Sequence, residues 1–151
     1  MTETQGDLFS DGALVGGELR PIVEVDKYDD DSGNLLSLSE RFRIFHGLNP
    51  QVLEKIIDMA LNLQRQGFRK CSAKMIVERL RWEVYFKTKG AEEYKLTNSY
   101  TSFYARLAIA VSPQLKDFFE LRTQKSEWRP DADTVEIARE FCWRQAGFTN
   151  G

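Results

Sequence analysis

Residues 49–67 read NPQVLEKIIDMALNLQRQG, and this stretch decides the fold. Asn49 is a preferred N-cap type, and Pro50 suits the first helical position, where its missing N–H would have no intrahelical partner. Leu53, Ile56, Ile57, Ala60 and Leu61 follow at helical spacing. Gly67 stops the run.

The same grammar recurs on either side. Ser39 to Phe45 reads as a helical turn or two ending at His46-Gly47. Ser72 is the expected cap of a helix reaching about Thr88, with Ala73, Ile76, Val77, Leu80 and Val84 on one stripe. A second stripe, Met75, Trp82 and Phe86, makes that helix apolar on more than one face, so it is either the central helix or faces a partner. Thr97 or Asn98 caps a third long helix with Tyr100, Phe103, Tyr104, Leu107, Ala108 and Val111 inward. Ser112-Pro113 opens a short helix carrying Leu115, Phe118 and Phe119, and Trp128 and Pro130 mark a loop. Asp133 with Glu136 suggests a capping box for a last helix over 134–146. Period-2 alternation is nearly absent. The expected fold is all-α: a helical domain over 39–151, preceded by a disordered acidic tail over 1–38.

The tail expectation rests on Gly6, Gly12, Gly16, Gly17 and Gly33, on the run Asp29-Asp30-Asp31, and on apolar residues too sparse to offset ordering entropy. One exception is Pro21-Ile22-Val23-Glu24-Val25, a short strand-like arm suited to docking on the body. Formal net charge is −2, but it is unevenly spread. Residues 1–40 hold 10 acids and 2 bases, whereas 41–129 hold 9 acids and 17 bases. An acidic segment on a basic body is an interaction arrangement. No apolar run is long enough to cross a membrane, and no secretory signal is visible. Cys71 and Cys142 lack metal-type spacing and read as buried thiols of a reducing cytoplasm.

Little points to catalysis. His46, the lone histidine, is expected at a helix C-terminus or on the surface, without the positioned partner that acid–base chemistry needs. No Cys/His/Asp/Glu cluster has metal spacing, and no Gly-rich loop joins a strand to a helix. No catalytic residue, metal or cofactor is expected. Bases instead gather at Arg65, Arg69, Lys70, Lys74, Arg79, Arg81, Lys87 and Lys89, a footprint for nucleic acid, most simply duplex DNA. The layout from Ser72 to Val111 allows a helix-turn-helix-like motif with Asn98, Ser99, Ser102 and Arg106 toward base edges. The connection from Thr88 to Leu96 is longer than that motif's usual turn.

Gln5-Gly6-Asp7-Leu8-Phe9 resembles the Gln-Leu-Ser/Asp-Leu-Phe pentapeptide with which many bacterial replication and repair proteins bind the DNA polymerase III β sliding clamp. The resemblance implies that Gln5 is a polar anchor, that Asp7 is an accepted central residue, and that Leu8 and Phe9 fill an apolar pocket. Gly6 stands where the pattern has Leu, which removes one contact. The body, through RIFHGLNP (43–50), ERLRWEVYF (78–86), NSYTSFYARLA (98–108) and FFELR (118–122), is similar to small uncharacterised proteins of bacteria and phages. That likeness implies a prokaryotic or phage setting and no particular activity. Together these features suggest a non-enzymatic DNA-transaction protein. The alternatives are a modulator of the replication clamp that makes no DNA contact, and an enzyme with a dispersed site.

Overall fold

Asn49 does not cap the helix it precedes. In the computed structural model, which describes residues 22–25, 27–29, 31–87, 97–119 and 128–145, the fully buried Asn49 side chain joins three segments instead. Its Nδ2 donates to Val23 O (2.8 Å) and Phe45 O (2.9 Å), and its Oδ1 accepts from Val23 N–H (2.7 Å). The helix beyond starts without that side chain because Pro50 needs no N–H partner and the Asn49 carbonyl accepts from Val52. The amide is thereby free to satisfy backbone groups that would otherwise be buried unpaired.

That bond pair clips the arm at residues 22–25 to the body, with Ile22 buried in the core. Part of the acidic segment is thus tied down. Beyond the arm, the chain makes a turn closed by Asp29 N–H to Asn34 O and Leu36 N–H to Lys27 O, with Gly33 at φ +73°. Residues 1–21 lie outside the described residues.

The body is all-α. Helix α1 (Leu38–Leu48) starts earlier and runs longer than the sequence suggests, because Ser37 and Glu40 form a reciprocal capping box. Helix α2 (Pro50–Arg65) keeps the expected bounds. It ends in a Schellman motif, with Gly67 at φ +100°, Phe68 N–H on Leu63 O and Gly67 N–H on Gln64 O. A side chain at residue 67 would have space but a strained backbone. Helix α3 (Ala73–Lys87) is followed, after the undescribed 88–96, by a 3-10 turn (Asn98–Tyr100) and α4 (Thr101–Val111). The helix expected after Ser112 is a single 3-10 turn, Pro113–Leu115. Helix α5 (Ala132–Gln145) is capped by Asp131, which accepts from Thr134 N–H at 2.8 Å, and not by Asp133.

Helix α4 occupies the centre. It touches α2, α3 and α5, and no residue from 101 to 111 is fully exposed. The core it organises includes Leu53, Ile56, Met59, Ile76, Leu80, Phe103, Tyr104 and Leu107. At its N-terminal end, Phe42 is enclosed by rings: Tyr104 at 4.8 Å, Phe103 at 5.1 Å, Trp128 at 5.5 Å and Tyr100 at 5.6 Å between centroids. Helix α3 lies at the side, so its second apolar stripe is left uncovered. Among the described residues, extended pairing is limited to two isolated bridges, Tyr28 with Leu35 and Cys71 with Phe119. No helix among them is long and apolar enough to cross a membrane.

Candidate nucleic-acid interface

The basic corner begins where α2 stops. After the Schellman turn the chain runs through Phe68, Arg69 and Lys70 and is caught again at Cys71, whose N–H donates to Phe118 O at 2.9 Å. Phe118 and Phe119 are themselves buried, and Gln64 Nε2 donates to Gln114 O at 3.0 Å. The loop is therefore held at both ends by the core, while residues 65–70 between the holds are all exposed. Arg65, Arg69, Lys70 and Lys74 project there within three successive segments: the end of α2, the loop and the first turn of α3.

Further along α3 the bases are differently engaged. Arg81 pairs with Glu78 at 2.9 Å, and Arg79 pairs with the buried Glu83 at 2.8 Å. Lys87 is exposed in the last turn, about 20 Å from Lys74 at 1.5 Å rise per residue. Lys89 lies outside the described residues.

The helix-turn-helix expectation finds a different setting. The connection 88–96 lies outside the described residues, as does the side chain of Asn98. Ser99 is exposed, but its N–H is held by Thr97 Oγ1 at 3.2 Å in a local turn. Ser102 and Arg106 are half-buried on the central helix, along which α5 packs, with Arg139 donating to Ala110 O at 3.3 Å. A groove-reading helix must offer one open face; on α4 the least buried residues, Thr101, Ser102, Arg106, Ile109 and Ala110, are half-buried. The structure sets Arg65, Arg69, Lys70 and Lys74 on one corner, places Arg81, paired with Glu78, and Lys87 further along α3, and keeps Ser102 and Arg106 on another helix.

Beside the cations lies a feature only partly visible in the sequence. Met75, Trp82 and Phe86, the stripe left open between core and partner, face solvent at 59%, 52% and 67% exposure. Tyr85 and Phe68 join them as exposed rings. Trp82 stacks on Tyr85 (5.9 Å, 26° between planes) and lies 6.2 Å from Phe86. The signal that could have found Tyr85 is its place three residues after Trp82, on the side of the helix away from Leu80 and Val84.

The titratable groups elsewhere serve packing and capping. His46 is buried in the last turns of α1 rather than on the surface, and burial pushes it down to about 4. Burial first, then the nearby Glu54 and Asp58, pushes the Cys142 thiol up to about 12, which leaves it protonated and poorly nucleophilic. A small cleft between α1 and α5 is floored by Phe42 and Trp128 and edged by Glu40 and Asp131. Both carboxyls sit below the usual carboxylate range because they accept capping bonds, Glu40 from Ser37 and Asp131 from Thr134. Gln5, Asp7, Leu8 and Phe9 lie outside the described residues. No protein-family model, curated protein or solved structure matches this chain.

Proposed function

We propose that the chain is a small, non-enzymatic, cytoplasmic DNA-transaction protein, whose basic α2–α3 corner contacts nucleic acid and whose N-terminal Gln5–Phe9 segment recruits a replication sliding clamp. The observation that carries the first half is the anchored α2–α3 corner presenting Arg65, Arg69, Lys70 and Lys74 to solvent. A cation on a held loop meets a phosphate at a lower ordering cost than one on a free tail, and each phosphate neutralised releases condensed counterions. The second half rests on the pentapeptide resemblance. The two halves reinforce each other, since a clamp encircles DNA and tethering raises the effective concentration of the basic corner beside it.

Changing Arg69 and Lys70 together to Ala weakens binding alike across unrelated sequences. The loss is roughly 1 kcal/mol or more per cation, on the order of tenfold or greater for the pair, read by anisotropy of a labelled oligonucleotide. Both side chains are exposed, so the fold is untouched. Unchanged affinity contradicts the reading and favours a clamp modulator without DNA contact.

A synthetic peptide of residues 1–12 binds the bacterial β clamp unaided, at micromolar affinity or weaker, because a short segment loses chain entropy on binding. Phe9→Ala costs about 2 kcal/mol or more. Gly6→Leu gains about 1–2 kcal/mol by restoring an apolar contact and removing glycine's excess freedom. Calorimetry with purified clamp reads both. A peptide indifferent to both changes makes the likeness a coincidence.

A further inference from the structure

The uncovered face of α3 is unusual in what it leaves open. Helix α3 already buries Ala73, Ile76, Val77, Leu80 and Val84 against the body, which is all the apolar surface its own packing requires. The opposite face still carries Met75, Trp82, Tyr85 and Phe86, at 59%, 52%, 44% and 67% exposure. Apolar area kept in water at this density marks a binding surface. Trp82 and Tyr85 are nearly parallel, and Phe86 is tilted beside Trp82, so the three rings form one exposed aromatic cluster.

Cations border that cluster. Arg69 and Lys70 precede its N-terminal end, and Lys74 and Arg81 run along one flank seven residues apart. Glu78, the carboxylate within the stripe, is tied to Arg81 at 2.9 Å. The chain thus sets apolar side chains beside cations at Phe68-Arg69-Lys70, Lys74-Met75 and Arg81-Trp82.

We propose that this face is a stacking platform for unpaired bases, so that the ligand class is single-stranded nucleic acid; the inference rests on the nucleic-acid reading above and narrows it. Bases of a duplex are stacked on one another and show only their edges, which call for polar side chains. A single strand offers base faces to rings and phosphates to flanking cations, the two chemistries found side by side here. The border charge also selects against the simplest protein occupant. A second copy docked antiparallel on the same face sets the Lys74–Arg81 flank of one copy against the same flank of the other, and like charges across an interface are costly.

The test measures binding of the whole chain to labelled oligothymidine and to a duplex of equal length. The single strand is expected to bind at least tenfold more tightly. Trp82→Ala and Phe86→Ala are each expected to lose about tenfold on the single strand and less than twofold on the duplex, while Trp82→Phe, which keeps a ring, stays near wild type. If single-strand affinity ignores both ring deletions while salt-dependent binding persists, the platform is wrong and the nucleic-acid reading stands. If neither oligonucleotide binds at low salt, both fail. If sedimentation shows a dimer that Trp82→Ala dissolves, the face belongs to a second copy and the inference is overturned.

Discussion

Phe42→Ala lowers the free energy of unfolding by about 3–5 kcal/mol, the range for deleting a fully enclosed phenyl ring. Phe42 has no exposed surface and makes ring contacts with Tyr100, Phe103, Tyr104 and Trp128. These partners come from the 3-10 turn, from α4 and from the segment before α5, so the cavity would open between elements fixed by the rest of the core and could collapse only in part. Stacked and edge-on aromatic pairs add stabilisation beyond the area they bury. The urea midpoint falls with an unchanged denaturant slope, the signature of lost stability without a new denatured state. A loss below 1 kcal/mol would mean that the ring cluster packs loosely.

Acid weakens the fold through His46. The imidazole is buried beside Phe42 and Tyr104, and its Nδ1 has no hydrogen-bond partner among the described residues. Burial holds its folded pKa at about 4, below the 6.5 of an unburied imidazole. Between those values the unfolded chain carries a proton that the folded chain refuses, so unfolding takes up protons and stability falls as pH falls. The contribution is complete above about pH 6.5 and gone by about pH 4, a loss of roughly 3 kcal/mol. Asp58, raised by burial, works in the opposite direction. Comparing wild type with His46→Leu at pH 7 and pH 4.5 isolates the imidazole: the wild type loses stability more steeply. Parallel losses would place His46 in contact with water.

What the sequence makes legible differs by element. Helix α2 is readable nearly to the residue because proline, glycine and a 3.6 period agree at Pro50, Gly67 and the run between them. The start of α5 is less so, since Asp131 and Asp133 are both plausible caps and only the Thr134 amide chooses between them. The role of Asn49 is hidden because its partner, Val23, is 26 residues away. Two apolar stripes on α3 announce two faces, yet periodicity cannot say whether the second is covered; α4, with no fully exposed residue, takes the centre instead. At the candidate interface, charge alone locates the exposed Arg69, Lys70 and Lys74. The half-burial of Ser102 and Arg106 depends on tertiary packing around α4 that no local pattern encodes.

The most direct test of the central claim is the affinity of the 151-residue chain for a single-stranded oligonucleotide as a function of salt. With Arg65, Arg69, Lys70 and Lys74 as the phosphate contacts, log affinity falls linearly with log salt at a slope of about −3, near −0.7 per contact on a single strand. The Arg69→Ala/Lys70→Ala variant flattens that slope by about 1.4, two contacts' worth. A slope near zero, or no detectable binding at low salt, contradicts the account.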